Sequence, residues 1–136
     1  MTRHVGAAAA AVLVAVVLAS VSPGAETRAA VAGGDARQGA ADFRACAPCH
    51  SVQPNRDMTG PSLAGVWHRK AGSVKSFDRY SPALKSAGIV WDAETLDGWL
   101  KDPAQFVPHN RMTFPGIADA RVRRDLIAYL AALSSG

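Results

Sequence analysis

The feature that most constrains this chain is the run Cys46-Ala47-Pro48-Cys49-His50, which uses both of its cysteines. Two thiols at this spacing on a tight turn can each bond a vinyl-derived carbon on the same side of a porphyrin. The next residue then turns its imidazole toward the iron, which is why C-x-x-C-H is the pattern of covalent haem attachment. Other uses of a cysteine pair fit less well. A dithiol redox pair does not require the following histidine, and with 4 His in 136 residues chance seldom places one there. A zinc site wants four ligands, usually as two such pairs, and no second pair occurs. One disulfide would be a thin framework for a small exported domain.

Export is itself indicated. Residues 5–21 are almost wholly apolar, preceded by Arg3 and His4 and followed by a small-residue stretch over 22–32. A basic n-region, an apolar h-region and small residues behind it read as a secretory signal peptide. The alternative is a retained anchor, because an apolar run of this length sits at the lower edge of a spanning helix. Division into a signal segment, 1–32, and one domain, 33–136, follows, with Ala30-Val31-Ala32 as the cleavage sequence nearest the A-x-A form. Cleavage there removes two arginines and one glutamate from a chain of formal net charge +4, leaving a mildly basic domain. That charge bears on docking and is too small to argue nucleic-acid binding. A domain this small gains from an internal apolar cofactor around which to build its core.

An iron that carries electrons with little rearrangement wants a sixth protein ligand, and a soft thioether favours the ferrous state. Of the 3 Met, Met1 leaves with the signal and Met58 lies close behind His50, where a packing or partly exposed role is expected. Met112 stands far downstream in Pro108-His109-Asn110-Arg111-Met112-Thr113-Phe114-Pro115-Gly116, an irregular Pro-flanked loop able to wrap the opposite haem face. His50 and Met112 are therefore the candidate metal ligands.

From Gly34 to Leu130 the sequence resembles the class I c-type cytochromes, notably mitochondrial cytochrome c and bacterial cytochromes c2. The matching runs are the attachment motif, Gly60-Pro61-Ser62-Leu63, Gly88-Ile89-Val90-Trp91, Arg111-Met112-Thr113-Phe114-Pro115-Gly116 and Asp125-Leu126-Ile127-Ala128-Tyr129-Leu130. The resemblance implies one haem c bound through Cys46 and Cys49. It implies that the Pro61 carbonyl accepts from the Nδ1–H of His50. Tyr80 and Trp91 would donate to a haem propionate, Arg69 would offset its charge, and Phe114 would close the pocket beyond Met112. Trp99 belongs to the same cofactor-binding set but stands where a Tyr is usual. Leu84 stands where an Asn is usual, and Asn110 where a Thr is usual. In the family those polar groups touch a buried water and the Met sulfur, so the departures bear on the potential and on the Met bond.

The scaffold can be read from the residues as well. Asp35 is a fair N-cap for a helix to about Ala45, on which Gly39 and Phe43 share a face. Asp92 to Lys101 reads as a helix burying Leu96, Trp99 and Leu100 and stopping near Asp102-Pro103. Asp119 caps a third helix with an apolar stripe at Val122, Leu126, Tyr129, Leu130 and Leu133. Arg121, Arg123 and Arg124 are expected to face solvent. No alternating strand pattern appears. The predicted fold is all-α, with the terminal helices crossing at Gly39, Phe43 and Tyr129, as the resemblance implies, and long loops wrapped on the haem.

The expected function is a soluble monohaem electron carrier and not an enzyme, passing one electron through an exposed haem edge. Its partners would be redox proteins of an electron-transport chain such as a respiratory chain, met transiently by a monomer. Nucleic acid plays no part, and a membrane does so only if the N-terminal segment is retained. Arg44, Arg69, Lys70, Lys101 and Arg111 are candidates for steering acidic partners. The location would be periplasmic or otherwise exported. Two alternatives remain at this point: an electron-transfer subunit of one dehydrogenase or oxidase, and a gas-binding or catalytic haem with Met112 off the iron.

Overall fold

The computed structural model describes residues 33–134. The expected signal segment, 1–32, and the boundary expected at its end lie outside the described residues. Helix α1, Ala36–Asp42, starts where Asp35 accepts from the N–H groups of Arg37 and Gln38, and it tightens into a 3-10 turn, Phe43–Ala45. Such tightening is common at helix ends and lets the chain turn at once into the cysteine motif. Helix α2, Pro82–Ser86, is capped by Ser81. Helix α3, Ala93–Lys101, opens with a reciprocal box in which Asp92 accepts from Thr95 N–H and the Thr95 hydroxyl accepts from Asp92 N–H. Helix α4, Pro103–Phe106, follows at once with Asp102 as its cap, and helix α5, Ala120–Leu133, begins at Asp119.

Two of these elements were not anticipated. Pro82 and Pro103 each occupy a first helical position behind a capping Ser81 or Asp102. A proline there lacks only an N–H that would be orphaned anyway, so the residue that ends α3 also starts α4. Among the described residues there is no strand, only an isolated antiparallel bridge between Lys70 and Val90. Around it, His68 N–H donates to Trp91 O at 2.7 Å and Trp91 N–H to Arg69 O at 3.0 Å, so Arg69 and Trp91 are held side by side.

Helices α1 and α5 cross as expected. A Cβ on Gly39 would overlap the carbonyl of Asp125, so only glycine allows this approach. Phe43 and Tyr129 meet at the crossing with ring centroids 5.6 Å apart. The buried Asp125 carboxylate accepts the N–H of Asp35 at 2.7 Å and locks the start of α1 onto α5. Leu126 and Ile127, 1% and 2% exposed, anchor α5 in the core. Each contributes roughly 1.5–3 kcal/mol of burial.

Arg123 corrects the sequence reading. It is buried, and its Nε donates to Asp97 Oδ1 on α3 at 2.7 Å, while Nη1 donates to the carbonyls of Ile117 and Ala118 at 2.8 Å. Positions 123, 127 and 130 share a face, and Ile127 and Leu130 are both buried. The stem of Arg123 packs with them while the guanidinium finds its partners at the helix edge. Arg121 and Arg124 are exposed, as expected.

Candidate haem site

The loops between the helices enclose an apolar cavity of about 460 Å³. This lies within the range of about 300–1,000 Å³ typical of cofactor sites. All the residues expected at the cofactor line it: Cys46, Cys49, His50, Pro61, Arg69, Tyr80, Trp91, Trp99, Met112 and Phe114. Leu84 and Asn110, the departures from the usual pattern, line it too.

The cysteine motif forms a tight turn at one wall. Cys49 N–H and His50 N–H both donate to Cys46 O, at 3.0 and 2.9 Å, and both cysteines line the cavity. Neither cysteine is in a disulfide; Cys46 is half-buried and Cys49 exposed. Burial pushes the Cys46 thiol above its usual range, and the neighbouring Cys49 adds to this.

His50 is positioned from two directions. Its Nδ1 lies 2.8 Å from the carbonyl oxygen of Pro61. A carbonyl only accepts, so Nδ1 carries the proton and Nε2 keeps its lone pair. A Cβ on Gly60 would overlap the imidazole ring, so glycine there gives the ring its room. Burial lowers the His50 pKa, which the hydrogen bond to Pro61 partly opposes.

Met112 lines the same cavity, is half-buried and packs against the core. The loop that carries it is organised by Asn110. The side-chain amide of Asn110 donates to Pro103 O at 2.7 Å and Val107 O at 3.0 Å, and its Oδ1 accepts Met112 N–H at 2.8 Å. This residue stands where a Thr is usual, and its amide spans three backbone groups that one hydroxyl could not join. Arg111 donates to the carbonyl of Arg79 at 3.2 Å, tying the loop to the segment that bears Tyr80. His109, in a left-handed conformation at φ 65, is exposed and is not among the cavity-lining residues.

The side walls are aromatic, with one polar corner. Trp91 and Trp99 are buried with centroids 5.5 Å apart, and Tyr80 meets Phe77 edge-on at 4.9 Å. Burial raises the Tyr80 pKa, so its hydroxyl stays protonated and able to donate. Arg69 is half-buried and gives Nη1 to Ala64 O at 2.6 Å and Nη2 to Ser62 O at 3.0 Å. It was also expected among the docking cations. The structure instead turns it inward as a structural arginine, whereas Arg44, Lys70, Lys101 and Arg111 are exposed.

Paired thiols, a nitrogen lone pair, a thioether and hydrogen-bond donors gathered around one apolar cavity suit a flat apolar iron macrocycle carrying carboxylates. The arrangement defines a covalent haem protein. No family model matches the chain. It is 43% identical over 102 residues to a cytochrome c of Gibberella zeae, which covers 74% of this chain and 95% of that one. It is 41% identical over 98 residues to a cytochrome c2 of Rhodoplanes tepidamans, 71% and 91% of the two chains. Among solved structures, cytochrome cH from Methylobacterium extorquens matches with a TM-score of 0.69 at 41% identity, covering 73% of this chain and 99% of that chain. The chain belongs to the class I c-type cytochromes. It carries haem c bound covalently through Cys46 and Cys49, and it is a monohaem electron carrier.

Proposed function

We propose that this cytochrome shuttles single electrons as an exported, freely diffusing carrier, with His50 and Met112 as the two axial ligands. When bound, haem c supplies a one-electron ferric/ferrous couple. The observation that carries the reading is the pairing of His50, its Nε2 lone pair kept free by the Pro61 hydrogen bond, with Met112, fixed by Asn110, in one cavity. A thioether and an imidazole together leave no coordination site for substrate, so the chain's task is to hold both still while charge changes. Apolar walls from Leu63, Val66, Leu96 and Leu100 keep water from the site.

Electron exchange takes place at the rim bearing the exposed Cys49. Lys70, Arg79 and Arg111 also line the cavity and are exposed, so positive charge at its mouth steers acidic partners. The contact is small and short-lived, as transient redox encounters are. The N-terminal segment would direct export to the periplasm or its equivalent; among the described residues no helix is long and apolar enough to cross a membrane.

Carbon monoxide added to the reduced protein tests the closed site. The spectrum of the native protein should stay unchanged, and that of Met112→Ala should shift. A shift in the native protein of comparable extent would contradict ligation by Met112 and favour a gas-binding role.

A further inference from the structure

Ser62 is 3% exposed and held at each of its polar atoms. Its N–H donates to Asp57 Oδ1 at 2.8 Å and its hydroxyl to Gln53 O at 2.6 Å, and its carbonyl accepts from Arg69 Nη2 at 3.0 Å. The hydroxyl also accepts from Ala64 N–H at 3.2 Å. The N–H of Ser62 belongs to the same peptide unit as the carbonyl of Pro61, which accepts the Nδ1 proton of His50 at 2.8 Å. A peptide unit is planar and conjugated, so a negative charge at its N–H increases the electron density on its oxygen. Hydrogen bonds in series strengthen one another in this way. Asp57 carboxylate, Ser62 N–H, Pro61 C=O and His50 Nδ1–H therefore form one polarised line, its far end in the cavity and its near end a charge that does not line the cavity.

We propose that Asp57 is a positioning residue for the proximal imidazole, acting through the Pro61–Ser62 peptide to raise the basicity of His50 and favour the ferric state. The inference rests on the reading of His50 as an iron ligand. The carboxylate strengthens the Pro61 carbonyl as an acceptor, the carbonyl draws on the Nδ1 proton, and Nε2 becomes the better donor. This pull opposes the preference for ferrous iron that a thioether and an apolar shell create.

The surroundings keep Asp57 ionised. A hydrogen bond with the Ser76 side chain and the one from Ser62 N–H hold its carboxyl below the usual range, helped by the charges of Arg79 and Arg69. Arg79 is fixed in turn by its hydrogen bond to Met58 O and its seat 4.9 Å from the centre of the Phe77 ring. Tyr80, on the same segment, stays neutral because burial raises its pKa. The charges that favour the ionised carboxylate are thus the guanidinium groups of Arg79 and Arg69.

The test compares the haem-loaded protein with Asp57→Asn, which keeps a neutral acceptor of the same shape, with Asp57→Ala, and with Asp78→Asn, which removes a charge from the exposed neighbouring loop. Three quantities are read: the midpoint potential, the proton resonance and solvent exchange of His50 Nδ1–H in the reduced protein, and the sulfur-to-iron band of the oxidised form. Asp57→Asn should raise the reduced-to-oxidised ratio at a fixed potential by roughly two- to fivefold, the difference between a charged and a neutral acceptor. It should also move the Nδ1–H resonance and hasten its exchange, with Asp57→Ala further along the same path and Asp78→Asn leaving that proton unmoved. A Nδ1–H resonance and exchange rate identical in native protein, Asp57→Asn and Asp57→Ala would overturn the relay. So would an equal response to Asp78→Asn, which would reduce the effect to simple charge. The band separates the two claims: its absence from native protein contradicts the axial pair, whereas a normal band with an unmoved Nδ1–H contradicts the relay alone.

Discussion

Asn110 Oδ1 accepts the backbone N–H of Met112 at 2.8 Å, while the amide of the same side chain donates to Pro103 and Val107. One residue thus ties an irregular loop down at the backbone of Met112. Replacing Asn110 by Ala leaves Met112 N–H and two carbonyls without those partners, at a cost of about 1–3 kcal/mol. The loop should open more often, and imidazole should bind the oxidised protein roughly tenfold faster, as followed by stopped-flow absorbance.

Arg123 joins α3, α5 and the chain leaving the Met112 loop. Its side chain is 7% exposed and that of its partner Asp97 41% exposed, so the two ends of the pair are not equivalent. Arg123→Ala should cost about 2–3 kcal/mol in denaturant unfolding, mostly from the Ile117 and Ala118 carbonyls and the lost packing. Asp97→Asn should cost about 1 kcal/mol or less, because water replaces part of what the carboxylate loses. Lysine at 123 should restore under half of the loss, since it lacks the forked donor geometry.

Gly39 and Gly65 make different demands on the chain. A methyl at Gly39 would meet the Asp125 backbone, which cannot move without parting the terminal helices. At Gly65 the space is open and only the positive φ of 63 resists a side chain. Gly39→Ala should destabilise by about 3 kcal/mol or more, against about 1–2 kcal/mol for Gly65→Ala. Thermal unfolding of the haem-loaded variants orders the two.

The Asp92 cap carries a pH signature. Hydrogen bonds from Thr95 hold its carboxyl below the ordinary value of 3.8. As pH falls, the unfolded chain takes up this proton before the folded one does. The cap's stabilisation is therefore present above about pH 4 and lost as pH drops through the folded value. Asp92→Ala should cost about 1 kcal/mol near neutrality, and the gap from native protein should close in acid, as urea titrations at stepped pH will record.

Much of this was legible in the order of residues, because the signals are local. Cys46 through His50 carries its chemistry within one turn, and Asp35, Asp92 and Asp119 each mark a helix start by capping N–H groups two or three residues on. The grouping of Arg69, Tyr80, Trp91, Trp99, Met112 and Phe114 around one cavity came through the resemblance, since no periodicity joins residues so far apart. The features that are not legible depend on tertiary partners. Arg123 resembles its solvated neighbours until Asp97 arrives from another helix. Asp57 resembles any loop aspartate until the chain folds the Ser62 amide onto it. By sequence Arg69 suits both the docking cations and the cofactor, and its bonds to Ser62 and Ala64 separate those roles.

The near-infrared spectrum of the oxidised protein tests the central claim most directly. With Met112 on the iron opposite His50, a weak sulfur-to-iron charge-transfer band appears in native protein and is lost in Met112→Ala, while Met58→Ala keeps it. A native spectrum without the band, or a band unchanged in Met112→Ala, would contradict the axial pair and with it the closed-site carrier.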